Sequence, residues 1–128
     1  MIDWSQYPNF SKHEFDCKHT GKNEMQPEFL KRLQILRTVY GKPIVITSGF
    51  RHPSHPVEIK KNNRGVHTYG VAADIAVDRT DAFELLKIAF TLGFTGVGIK
   101  QHGDGRFIHL DTMPEHPNFI RPTVWSYR

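Results

Sequence analysis

Cysteine is almost absent from this 128-residue chain; Cys17 is the only one. An intramolecular disulfide is therefore excluded, and so is a zinc knuckle built from several thiolates. Cys17 is expected to be a buried, small apolar residue. Long apolar runs are missing as well. No stretch approaches the roughly 20 residues that cross a bilayer. The first residues, Met1-Ile2-Asp3-Trp4-Ser5, carry neither the basic nor the apolar region of a secretory leader. A soluble protein made in the cytoplasm, with no membrane partner, is expected. Clustered positive charge is also lacking. The net charge is +4 and the pI is near 9.3, yet no run of five Lys or Arg occurs, so nucleic acid is not expected as a partner. The mild basic bias suits an anionic polymer such as bacterial cell wall. No repeat, low-complexity tract or linker-like composition divides the chain, and its length suits a single domain over residues 1–128. A monomer is expected.

What is present reads as a mixture of helices and short strands. Ser11-Lys12-His13-Glu14 has the pattern of a capping box and predicts a short helical turn. Pro27 stands where a first-turn proline belongs, ahead of Phe29, Leu30, Leu33, Leu36, Val39 and Tyr40 at three- and four-residue steps. Gly41 and Pro43 end that helix. Ile44 to Thr47 reads as a β-branched strand. Residues 51–66 form a long polar loop, a feature that in a small domain is usually functional. Ala72 to Val77 reads as a second strand and Thr80 to Leu92 as a second amphipathic helix stopping at Gly93. Val97 to Lys100 and Phe107 to Asp111 read as a hairpin around Gly103-Asp104-Gly105. The tail, with Pro114, Pro117, Pro122, Trp125 and Tyr127, reads as irregular and held down by its aromatics. The fold class expected is α+β, a small antiparallel sheet with helices packed on one side.

Two segments carry the chemistry. His67 is followed, seven residues on, by Asp74 at the start of an apolar run, and Phe107-Ile108-His109-Leu110-Asp111 supplies a second imidazole. Side chains alternate along a strand. If Ala73, Ile75 and Val77 face the core, Asp74 stands on the other face between Ala72 and Ala76. If Ile108 and Leu110 face the core, Phe107, His109 and Asp111 share the opposite face. Two His and one Asp can hold Zn²⁺ with a fourth position open to water, the layout of a catalytic zinc site. Periodicity permits that site, and it equally permits unrelated polar residues on an exposed strand face.

The pattern His67-x-x-Gly70-x-Ala72-x-Asp74, followed by Phe107-Ile108-His109-Leu110-Asp111, resembles the zinc D-alanyl-D-alanine carboxypeptidase family. That family includes bacterial cell-wall peptidases and phage endolysins, and it shares its fold with the hedgehog signalling domain. Ser11 to Cys17 resembles the family's N-terminal segment, and Ile46-Thr47-Ser48-Gly49-Phe50-Arg51 its Ser-Gly-Tyr/Phe-Arg motif. Leu92-Gly93-Phe94 through Gly96-Val97-Gly98-Ile99 matches the approach to the last ligand. The resemblance spans roughly residues 9–127. It implies that His67, Asp74 and His109 bind zinc. It also implies that Arg51 binds the substrate carbonyl or carboxylate and stabilises the oxyanion, a task suited to an always-charged planar guanidinium.

Two positions depart from the family pattern. Many members place an acidic general base three residues before the last His, where this chain has Arg106. Asp104 is the preferred substitute, with Asp111 and His102 as alternatives. Each has a plainer role open to it: Asp104 as a turn residue, His102 as a solvent-exposed side chain, Asp111 as a partner orienting a zinc ligand. Relatives also often carry Ser where this chain has Gly65. The activity implied is hydrolysis of amide bonds in peptidoglycan stem peptides, of the DD-carboxypeptidase or endopeptidase type. The setting implied is phage lysis or wall remodelling, with the protein acting after release or as part of a virion. The alternative is a metal-stabilised binding module on the same fold with impaired catalysis.

Overall fold

A computed structural model describes residues 1–128. Its elements, in chain order, are α1 (Lys12–Phe15), α2 (Pro27–Tyr40), β1 (Val45–Ser48), α3 (Pro56–Ile59), β2 (Ala72–Ala76), α4 (Arg79–Ala89), β3 (Gly96–Lys100), β4 (Phe107–Asp111) and β5 (Thr123–Ser126). Single 3-10 turns occupy Trp4–Gln6 and Val66–Tyr69. The five strands form one sheet in the order β1-β2-β4-β3-β5. All neighbours are antiparallel except β3 and β5, which run parallel. The fold is α+β, as the sequence pattern implies.

Local chemistry explains the boundaries. The capping box at Ser11 forms, with the Glu14 carboxylate accepting from the Ser11 amide at 2.7 Å. Helix α2 begins with Pro27 at its first turn and ends on Gly41, whose positive φ of 75° suits a residue without a Cβ. Phe29, Leu30, Leu33 and Leu36 are fully buried, whereas Val39 at the end of the stripe is exposed. Helix α4 is shorter than the apolar pattern suggests, and the chain turns through Thr91 and Leu92 to Gly93.

One face of the sheet carries Ala73, Ile75, Val97, Ile108 and Leu110. These pack with the buried residues of α2 and with Ala82, Leu85 and Ala89 of α4 into the main core. Truncating one of the fully buried leucines to Ala would cost about 2–5 kcal/mol. The opposite face is not the open surface that strand alternation alone suggests. The tail after β4, expected to be irregular, supplies β5, and its register pairs Gly98 with Trp125. Side chains of the tail, Trp125 beside His109 and Arg121 on Asp111, cover this second face, and His109 and Asp111 are as buried as core leucines.

Gly70 connects the two parts of the first motif. Its φ is 73°, and an added Cβ would overlap the Glu24 carbonyl. Its own carbonyl accepts from the Gln26 amide at 2.8 Å. Only a glycine can turn the backbone from the His67 segment into β2 this close to a neighbouring chain.

Candidate metal centre

Asp74 lies in the middle of β2, directly opposite His109 across the antiparallel ladder with β4. Opposed residues in such a pair put their side chains on one face about 5 Å apart, so register alone brings this carboxylate to this imidazole. His109 Nδ1 is 3.0 Å from Asp74 Oδ1. His67 arrives from the 3-10 turn before β2, with Nε2 3.4 Å from the same oxygen. One donor atom from each residue falls within 4.8 Å of the others, and all three residues are buried. Tetrahedral zinc, with bonds of about 2.0–2.2 Å, holds neighbouring donors roughly 3.3 Å apart. The observed separations fit that ion.

Each imidazole is aimed by its other nitrogen. His67 Nδ1 is 2.8 Å from the Gly49 carbonyl, which can only accept, so Nδ1 carries the proton and Nε2 is left free for a metal. His109 Nε2 donates to Asp111 Oδ2 at 2.7 Å, leaving Nδ1 toward Asp74. A carboxylate behind a ligating His fixes the ring and raises its basicity. Asp111 is in turn gripped by Arg121, with Nε to Oδ1 at 3.0 Å and Nη2 to Oδ2 at 2.8 Å, and it accepts from the Met113 amide at 3.1 Å. Arg121 packs over the rings of Phe119 and Trp125.

The electrostatics follow from these contacts. Burial pushes the Asp74 carboxyl up, but its close contacts with the His109 and His67 rings outweigh it and hold the group well below the ordinary carboxylate range. Burial likewise opposes charge on Asp111, and His109 and Arg121 together keep it ionised. Burial pulls His109 down, whereas its bonds to Asp111 and Asp74 raise it above an ordinary imidazole.

Two glycines make room for the arrangement. Gly96 stands opposite Asp111 and Gly98 opposite His109. A Cβ at Gly96 would overlap the Asp111 carboxylate, and one at Gly98 would come within 2.6 Å of Trp125 Nε1. The Trp125 ring can therefore lean to 5.1 Å from that of His109.

The centre opens into a cleft of about 240 Å³ lined by Arg51, Lys61, Val66, His67, Asp74, Phe107, His109, Trp125 and Tyr127. Arg51 thus lines the same cleft as the three candidate ligands. Asp104 is not. It stands at the tip of the β3–β4 turn and lines a separate cavity of about 480 Å³ with Arg79 and Arg106. His109 lies about 7 Å along the strand beyond Phe107, and the turn carries Asp104 farther off. His102 is exposed, its ring nitrogen 3.1 Å from the Tyr127 carbonyl. Asp111 is fully buried with both oxygens occupied, so it orients His109 and is not free to accept a proton from substrate water. Arg106 donates to the Gly103 carbonyl within the turn. No carboxylate other than Asp74 lines the cleft.

Sequence reasoning missed Arg121, Trp125, Tyr127, Glu58 and Lys61. One signal was available: glycine at every second position of β3, Gly96 and Gly98, marks a strand face over which something large must lie. Nothing local marks Arg121, which lies ten residues beyond Asp111 in the irregular tail.

A mixed sheet with buried His, Asp and His donors aimed at one point, beside an arginine-lined cleft, has the layout of a zinc metallopeptidase site. The family model Peptidase M15 matches residues 8–111, and the chain belongs to that family, the zinc D-alanyl-D-alanine carboxypeptidases with a hedgehog-like fold. Compared with curated proteins, the chain matches none.

Proposed function

We propose that this chain is a zinc-dependent peptidoglycan peptidase that hydrolyses amide bonds in cell-wall stem peptides, acting in phage lysis or wall remodelling. The observation that carries the reading is the oriented triad of His67, Asp74 and His109 in a member of a peptidase family. When bound there, zinc supplies Lewis acidity, which polarises an amide carbonyl and makes water nucleophilic at neutral pH.

The protein's own groups do the rest. His67 and His109 present one nitrogen each, with the second tied to Gly49 and Asp111, so neither ring must reorient during turnover. Arg51 is held by Glu58 at 3.2 Å and by Ser48 Oγ at 3.2 Å, and its remaining N–H groups serve the substrate carbonyl as negative charge develops on it. Tyr127, whose burial pushes its phenol up, keeps its proton at neutral pH and lines the cleft as a hydrogen-bond donor. Trp125 and Phe107 wall the cleft and exclude water from the reacting bond. In this reading the protein acts as a monomer on the wall, after release or from a virion.

The test is digestion of purified peptidoglycan by the zinc-loaded protein, with the released muropeptides identified by mass spectrometry. Release of terminal D-alanine or opening of cross-links is expected. The second reading, a metal-stabilised binding module, draws on the lack of a free carboxylate in the cleft and on Arg106 at the usual base position. Zinc-loaded, folded protein that binds sacculi and releases nothing from several wall types would establish it instead. Because Asp104 lies outside the cleft, Asp104→Asn is expected to keep turnover within about threefold of the parent, a change of about 0.65 kcal/mol. A hundredfold loss in kcat at unchanged zinc content would return the proton-transfer role to Asp104.

A further inference from the structure

The polar loop between β1 and β2 hides a charged group that the reaction described above uses only to hold Arg51. Glu58, in the single turn of α3, is an acid with its side chain 1% exposed. Its Oε2 takes the Arg51 guanidinium at 3.2 Å and the Lys61 ammonium at 3.1 Å. Its Oε1 accepts from the Gly65 amide at 2.8 Å. Burial opposes charge on this carboxyl, but the Gly65 amide, Lys61 and Arg51 more than offset it and keep the group ionised.

Gly65 is what allows this closure. A Cβ there would come within 2.6 Å of Lys61 Nζ and 2.8 Å of Glu58 Oε1. With glycine in place, the lysine tip folds over the start of the turn that carries His67, onto the rim of the cleft. Lys61 and Arg51 are the cleft's two permanent cations.

The charge balance is unequal. Two cations share one buried carboxylate behind the cleft, and the one acid that lines the cleft, Asp74, faces the two imidazoles. Arg51 has five N–H donors and uses two within the protein, and Lys61 has three and uses one. The remaining donors engage no protein acceptor. Lys61 keeps about two-fifths of its side chain in solvent, so a ligand can reach it.

We infer that Lys61, positioned with Arg51 by Glu58, recognises a carboxylate of the substrate close to the scissile amide and so determines specificity. This inference rests on the peptidase reading above and adds to it the substrate group that the cleft selects. Glu58 touches no substrate; it is a positioning residue that holds the two cations side by side. Either a terminal α-carboxylate or an acidic side chain one residue away presents this chemistry.

The test uses the full zinc-loaded chain and an uncleavable probe, acetyl-D-alanyl-D-alanine with its central amide replaced by a ketomethylene group. Calorimetric Kd values are compared for the free acid, its terminal amide, and the amide extended by an acidic D-glutamyl residue. The acid is expected to bind at least tenfold more tightly than the amide. Lys61→Met should erase that preference while leaving the Kd of the plain amide within twofold, and Lys61→Arg should restore most of it. Glu58→Gln, if folded, should weaken the acid without moving the plain amide. Lys61-dependent binding of the glutamyl probe would place the recognised carboxylate on the amino side, and dependence with the dipeptide acid alone would place it at the terminus. Equal affinity of acid and both amides in the parent, or equal weakening of all three probes by Lys61→Met, would overturn the inference. Wild-type protein that shows the Lys61-dependent preference yet releases no muropeptides would overturn the hydrolysis and leave the recognition standing. Release of muropeptides without the preference would do the reverse.

Discussion

Asp74→Ala is expected to abolish stoichiometric zinc binding while leaving a folded protein. Asp74 Oδ1 is the one atom that both imidazoles approach, at 3.0 and 3.4 Å, so its loss removes both a ligand and the charge that balances the cation. Losing an outer partner of a zinc ligand typically costs 10–100-fold in affinity, and losing the carboxylate itself should exceed that range. The fold should survive because Asp74 sits on the site face, away from the main core formed by Ala73, Ile75, Ile108 and Leu110. His67→Ala and His109→Ala should act in the same direction. Elemental analysis after dialysis measures the effect. Retention of one zinc per chain in all three variants would remove the metal centre from consideration.

Asp111→Asn is expected to damage both stability and metal binding. Asp111 is fully buried and Arg121 is 6% exposed, so the substitution leaves a buried guanidinium without its counter-charge. Breaking a buried pair by removing one partner costs about 3–5 kcal/mol, which is a large share of the stability of a domain this size. His109 simultaneously loses the acceptor that fixes its Nε2 proton, and zinc affinity should fall about 10–100-fold. Urea unfolding and competition with a zinc chelator measure the two effects separately. A stability change under 1 kcal/mol together with unchanged affinity would show that the Arg121–Asp111–His109 chain carries no such role. The acid limb provides a second readout. Asp111 is held below its ordinary value of 3.8, so the stability it contributes is complete above about pH 4 and is lost as the pH falls through its folded value. The Asn variant lacks that titration and should show a flatter stability profile below pH 4.

The shared face of Asp74 and His109 could be read from the chain because its logic is local, whereas His67 joined them through the family resemblance. Strand alternation places Asp74, His109 and Asp111 on the face opposite Ala73, Ile75, Ile108 and Leu110, and that alternation survives in the fold. Pro27 and Gly41 mark the ends of α2 through backbone constraints that act within a few residues. The hairpin around Gly103 and Gly105 follows from the same kind of rule, since both glycines adopt positive φ.

Other features depend on partners distant in sequence. The tail looked irregular because its prolines interrupt any pattern, yet Thr123–Ser126 pairs in parallel with β3, a contact that only the closed sheet can supply. The assignment of proton transfer to Asp104 relied on spacing from His109 along the chain, and the turn points that residue into a different cavity. Arg121 and Glu58 have no periodic or motif signature. Their roles arise from which carboxylate or cation the tertiary structure brings within 3.2 Å. The sequence by itself determined the two long helices, the first four strands and the core face, because propensity and periodicity act over a few residues, and the family resemblance singled out the three candidate metal ligands. The tertiary structure alone decided which charges meet, because burial lets a charge persist only where a partner from elsewhere in the chain compensates it.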